Sequence, residues 1–251
     1  MDYSDDPGVK AAQARLLALM AERRTVSVEL HRHTRRQGLA RSVRFALDTV
    51  LADADAVILL EDDCVVRPGG MKFFHEGLSA LRFDRRIRSL CGYLFPCAFI
   101  RSASDPLLLR RFCTWGWATW RDRWRDYDPE LARVVQRLAR RGIRVEDIAD
   151  DLASLCRSPE YLENRIDVWS VNWILEHFAT GTYCVYPCDS MIDNIGFDGS
   201  GNNCRPSADF RTDEGSAAVT WSFSQLFHCT ENEQMLKRFM DLNGLKTYPR
   251  S

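Results

Sequence analysis

The chain has 251 residues, 45% of them hydrophobic and 27% charged, with a formal net charge of −1. That length suits one large α/β domain or a domain with an appended lobe, and the near-neutral balance excludes a global basic field for nucleic acid. No uninterrupted apolar run approaches the ~18 residues that a membrane-spanning helix needs, and the acidic start MDYSDDPGVKAAQ lacks the apolar core of an export signal. The nine cysteines contain no CxxC pair, so they fit small apolar core positions in a reducing, cytoplasmic compartment, with a Cys188–Cys204 bridge as the minor alternative.

In chain order, Asp5 or Asp6 is a candidate N-cap with Pro7 at the first helical position, and Val9, Ala12, Leu16, Leu19 and Met20 follow on one helical stripe. Thr25–His33 alternates Val26, Val28 and Leu30 and predicts a strand. A second helix is expected over Gly38–Leu51, with Leu39, Val43, Ala46, Leu47 and Val50 on its stripe. The stretch AVILLEDDCVVRP, Ala56–Pro68, then places five apolar residues before Glu61, Asp62 and Asp63. A short continuous apolar run predicts a strand buried on both faces, with the carboxylates at its C-terminal edge, where open α/β sheets bind ligands. Adjacent carboxylates repel one another, so they either form a solvated acidic turn or await a cation, and a hard divalent ion bridging to a phosphate would satisfy them.

Met71, Phe74, Leu78 and Leu81 mark the next helix and Ile87–Phe95 the next strand. His31, His33 and His75 have no convergent partners and are expected at the surface or in packing. Four tryptophans crowd Phe112–Trp124, beside Arg121, Arg123 and Arg125. They are either a core layer or a platform on which a sugar ring or nucleobase stacks. Leu131–Ala149 is expected to be an Arg-rich amphipathic helix. Asp167–Phe178 is expected to be a further helix opened by Asp167, where a carboxylate can serve as a cap. Tyr183–Pro187 predicts a short strand, Asn194–Cys204 a Gly- and Asn-rich loop, and Glu231–Asn243 a helix docked by Met235, Phe239 and Leu242. Helices alternating with strands point to parallel crossovers.

Taken together, the strand-EDD-apolar-Pro stretch, the preceding GLARSVRFAL helix, WGWATW, and DVWSVNW followed by a Pro and NIGFDGSG resemble bacterial sugar transferases of the GT-A fold, at a distance similar to N-acetylglucosaminyltransferase I. The likeness covers roughly residues 1–205. It implies an α/β, Rossmann-like, mostly parallel central sheet flanked by helices, with a nucleotide-sugar half over about 1–95, an acceptor half over about 96–205, and a tail over 206–251. It further implies a cytoplasmic, metal-dependent, inverting hexosyl- or N-acetylhexosaminyltransferase of bacterial polysaccharide biosynthesis, moving a sugar from a UDP-sugar donor to an acceptor hydroxyl with Mn²⁺ or Mg²⁺.

By the same resemblance Asp63 would ligate the metal, Asp62 and Glu61 would contact ribose and donor sugar, and Asp5 would recognise the uracil ring. Trp115, Trp117 and Trp169 would be the acceptor or donor-sugar platform, and Asn194, Gly196 and Asp198 a loop near the phosphates. Asp167 would be the general base, although counting back from the Pro187 strand puts Asn172, which cannot be a base, at the relatives' carboxylate position. The family's sheet begins with another strand and helix ahead of SDDP, so a truncated or variant nucleotide site and an exposed sheet edge are expected here. Two other readings stay open: a nucleotide- or carbohydrate-binding protein without turnover, and a metal-dependent phosphotransferase, which the absence of a glycine-rich phosphate loop with Lys disfavours.

Overall fold

The structure is a computed structural model and describes residues 4–22, 27–101, 104–162, 169–198, 206–212 and 220–247. Contacts divide the chain into two compact units, Met1–Asp48 and Thr49–Ser251.

In the first unit, helix α1 (Pro7–Glu22) begins as its sequence dictates. The Val9 N–H donates to Asp6 Oδ1 at 3.0 Å, and Pro7 occupies a position whose N–H would lack a partner in any case. None of its residues is buried, so the predicted stripe of Val9, Leu16 and Leu19 stands exposed. The expected strand over Thr25–His33 does not form within its described part, Ser27–His33. Alternation alone does not hold a strand that has no neighbour to bond. His31 and His33 pack edge-on against Phe45, at 5.4 and 5.1 Å between ring centres. Helix α2 (Leu39–Asp53), which begins in the first unit and ends in the second, buries Val43, Leu47 and Leu51 at i, i+4, i+8, while Val50 is exposed.

The second unit contains strands β1 (Ala56–Leu59), β2 (Cys64–Val66), β3 (Ile87–Cys91), β4 (Leu107–Leu109), β5 (Trp117–Trp120), β6 (Tyr183–Tyr186) and β7 (Ile192–Asn194). Its helices are α3 (Gly70–Ala80), α4 (Arg121–Trp124), α5 (Leu131–Arg140), α6 (Val145–Ile148), α7 (Asp150–Arg157), α8 (Pro159–Leu162), α9 (Ser170–Thr180) and α10 (Thr230–Asn243). Five strands form a sheet in the order β1-β5-β3-β6-β4, and β2 pairs with β7 as a separate two-stranded ladder.

The architecture is α/β, with helices flanking a mixed sheet. The mostly parallel sheet expected from the element order is not what forms. Among the strands named, β3 and β6 alone pair in parallel, because β5 enters antiparallel between β1 and β3, and β4 runs against β6. The burial expected for Ala56–Leu60 also needs correction. All of β1 is half-buried and Leu60 is 41% exposed, because β1 is an edge strand that bonds β5 alone among the described residues. Among the described residues the strands buried at every position are β3, β4 and β5.

Two further expectations change for local reasons. The single helix foreseen over Leu131–Ala149 breaks after Arg140, where Gly142 adopts φ +70 in the left-handed region that ends helices. Helix α10 docks through Asn232, Leu236 and Met240, whereas Leu242 is 80% exposed. Its stripe is therefore rotated from the expected one, though Phe239 still meets Phe95 and Phe210. Asn232 fastens α10 by donating to Ile100 O and accepting from Ile100 N, both at 2.8 Å. Among the described residues no helix is long and apolar enough to cross a membrane.

One buried ion pair anchors the segment just after β4 to α7. Arg111 and Asp151, about 5% and 1% exposed, meet through two hydrogen bonds, Nη1 to Oδ1 at 2.9 Å and Nη2 to Oδ2. Removing one member of such a pair strands a desolvated charge. We therefore expect Asp151→Ala to cost about 3–5 kcal/mol in urea unfolding, and the apolar double substitution Arg111→Met/Asp151→Leu to recover most of that loss.

Candidate functional site

Glu61, Asp62 and Asp63 occupy the turn between β1 and β2, where Cys64 N–H closes on Glu61 O at 3.1 Å. The β2–β7 ladder sets Cys64 opposite Asn194 and Val65 opposite Asp193, and Ile195 N–H adds a bond to Asp63 O at 2.9 Å. The acidic turn is thereby tied to the segment Asn194–Asp198, which the sequence had grouped near it only by resemblance.

Gly196 sits against Asp63. A Cβ at this glycine would lie 2.4 Å from Asp63 Oδ2, so any side chain here would displace the carboxylate. The Gly196 N–H donates to Asn194 Oδ1 at 2.8 Å. Asn194 Nδ2 is buried without a hydrogen-bond partner among the described residues. Asp198 lies in the same 3-10 turn, Gly196–Asp198, and is exposed.

The electrostatics are unbalanced. Among the described residues no ion pair reaches Glu61, Asp62 or Asp63. Burial, reinforced by the charges of Asp63 and Asp62, pushes the Glu61 carboxyl up to about 8. Asp63 is raised by burial and by Asp62, and the nearby Asn194 amide tempers the rise without a well-aligned hydrogen bond. Asp62 stands exposed.

Arg67, six residues beyond Glu61, is turned away from the triplet. Its Nε donates to Asp193 Oδ2 at 2.9 Å, its Nη1 to Ser190 O at 3.2 Å and its Nη2 to Thr212 Oγ1 at 2.8 Å. Burial alone would raise Asp193, but the bonds from Arg67 and Thr212 hold it below the usual carboxylate range. This clasp fixes the ladder that carries the site. Sequence reasoning missed it, although an arginine beside three carboxylates was a visible signal; its true partner lies 126 positions away.

The remaining predicted residues are distributed as follows. Trp115, Trp117 and Trp169 are 6%, 0% and 5% exposed, and their rings rest on other rings. Trp115 meets Tyr93, Phe197 and Phe210, while Trp117 meets Phe112, Trp124, Trp169 and Trp173. As packed they are a core layer. Asp5 is an exposed residue of the first unit, 3.6 Å from Lys10 Nζ. Asp167 and Cys204 lie outside the described residues, and Cys188 is a free thiol directed at Asp105 O. Asn172 is buried and engaged: Nδ2 donates to Pro129 O at 2.6 Å and Oδ1 accepts from Tyr161 Oη at 3.1 Å. That is a structural role, linking α8, α9 and the segment before α5.

Among the described residues no group of three or more His, Cys, Asp and Glu converges as a ready metal cage. The donor set nevertheless fits a hard divalent ion held partly by its ligand. Asp63 and Asp62 supply carboxylate oxygens, and the unpartnered Asn194 amide supplies a donor for an anion. No protein-family model matches this chain, and neither does any curated protein.

A raised carboxyl means that the folded state holds a proton the unfolded chain releases, so stability falls as pH rises from about 4.5 through about 8. Glu61→Gln lacks that loss. In metal-free buffer the variant should match the wild type near pH 5 and exceed it at pH 9 by on the order of 2 kcal/mol, as followed by melting curves across the range.

Proposed function

We propose that this chain is a metal-dependent glycosyltransferase that moves a sugar from a nucleotide-sugar, of the UDP-sugar class, to an acceptor hydroxyl. The observation that carries the reading is the Glu61-Asp62-Asp63 turn: three carboxylates at the end of an edge strand, two of them raised by burial and mutual repulsion, with no cation paired to them among the described residues. Such a cluster lowers its energy by gaining positive charge, and a donor diphosphate needs the same charge as its glycosidic bond breaks.

Asp63, wedged against Gly196, and the exposed Asp62 would hold Mn²⁺ or Mg²⁺, which when bound neutralises charge on the leaving diphosphate. Asn194 Nδ2, buried and unpartnered, would donate to a phosphate oxygen. Glu61, protonated near neutral pH, would present an O–H donor as well as an acceptor to sugar or ribose hydroxyls. An inverting displacement needs a base on the acceptor side, and Asp167 is the proposed group. A cytoplasmic place in polysaccharide assembly belongs to the same proposal.

A second reading, a nucleotide- or carbohydrate-binding protein without turnover, is favoured by one feature. The free edge of β1 leaves the strand that presents the triplet supported on one side only among the described residues.

Incubation with a panel of UDP-sugars and Mn²⁺ separates the two. The transferase releases UDP, and Asp63→Ala lowers that rate by at least about 100-fold, on the scale of other groups that stabilise developing charge. Binding of UDP with no release from any donor would select the binding protein. Absence of both would remove the proposal.

A further inference from the structure

A surface cavity of about 210 Å³ lies in the second unit between α6, α9 and α10. Its lining includes the apolar Ile148, Ala149, Phe178 and Leu236, and three charged residues besides Glu233, namely Arg111, Asp147 and Lys237. A dry apolar cavity of about 150 Å³ suffices for benzene, so this one has room for a six-membered ring bearing a polar group.

The charges around it cancel in pairs. Arg111 is matched by Asp151, Asp147 by Arg144 at 2.7 Å, and Lys237 by Asp241 at 2.9 Å. Glu233 is the exception. Its Oε1 accepts from the backbone N–H of Arg110 at 2.8 Å, and Oε2 has no hydrogen-bond partner among the described residues. The Arg110 guanidinium lies over the Tyr183 ring, 5.2 Å from its centre, and acts on Glu233 through its charge without a direct ion pair among the described residues. Burial pushes the Glu233 carboxyl up to about 7, with the Arg110 N–H and the Arg110 charge offsetting only part of the lost hydration.

We propose that this cavity binds a small organic amine, an apolar ring or branched chain seated on Ile148, Phe178 and Leu236 with its ammonium group on Glu233. An ammonium supplies the charge and the donor that Glu233 Oε2 lacks, and the apolar body covers walls otherwise facing water. A neutral alcohol would supply the hydrogen bond without the charge, and a carboxylate would be repelled. The site is independent of the acidic turn and stands or falls separately from the transferase reading.

Calorimetric titration at pH 8 with cyclohexylamine, cyclohexanol and cyclohexanecarboxylate tests it. The amine should bind at least about tenfold tighter than the alcohol, consistent with a charge-assisted hydrogen bond in place of a neutral one, and the carboxylate should not bind. Glu233→Gln, which keeps the acceptor for Arg110 N–H, should abolish the preference for the amine and leave the alcohol's affinity unchanged. On the wild-type protein, intermolecular NOEs from the ring protons to the Ile148 methyls should place the ligand, independently of how the variant folds. Equal binding of amine and alcohol, no binding of the amine, an unchanged preference in Glu233→Gln, or an absence of NOEs to Ile148 would each overturn the proposal.

Discussion

Three consecutive carboxylates are held in a tight turn between β1 and β2 with no ion pair reaching them among the described residues. Left in a flexible loop, Glu61, Asp62 and Asp63 would swing apart into water and relieve their repulsion. The fold prevents this from both sides. β1 delivers the turn from the sheet, and the β2–β7 ladder, with the Ile195-to-Asp63 backbone bond, holds its exit. Gly196 then leaves only the space of a hydrogen beside Asp63. The cost appears as raised carboxyl groups at Glu61 and Asp63, which is the form expected of a site that completes its charge balance with a ligand.

On α9, by contrast with the acidic turn, a buried carboxylate is met by arginines of the same unit. Glu176 is 1% exposed, pushed up by burial, and opposed by Arg88 and Arg137. Arg137 also reaches Asp128, which Arg133 holds bidentately. Arg88 lies over the Trp173 ring at 4.3 Å, 4.0 Å from Glu176. Next along the helix, His177 is fully buried among Ser89, Thr182 and Cys184. Burial, aided by the Arg88 charge, holds it well below the usual histidine range, so it is a neutral packing residue. These groups hold α9 and α5 on the sheet. Glu176 thus has cations of its own fold beside it, whereas no ion pair reaches the triplet among the described residues.

The parts of this arrangement legible in the sequence are those set by short-range physics. Asp6 and Pro7 start α1, the apolar run before the triplet forms β1, and Val43 and Leu47 make the buried stripe of α2. What was not legible depends on partners distant in the chain. The direction of β5 is decided by its neighbours β1 and β3, so crossovers inferred from element order overstate the parallel pairing. The half-buried state of β1 reflects its position at the edge, which five apolar residues in a row do not encode. Likewise, the Arg67–Asp193–Thr212 clasp spans most of the second unit, and tryptophan density could not distinguish a core layer from an open platform until Trp117 was seen enclosed by Phe112, Trp169 and Trp173.

The proposed transfer requires the acidic turn to hold a divalent cation together with a diphosphate. Electron paramagnetic resonance of Mn²⁺ measures this directly, because the free ion gives a sharp six-line signal that fades on binding. With UDP present, titration of the wild-type chain should remove about one equivalent of free Mn²⁺ per chain, and Asp63→Asn should leave the signal at its protein-free intensity. A wild-type chain that removes no signal, or an Asp63→Asn chain that removes as much as the wild type, would rule out metal binding at this turn.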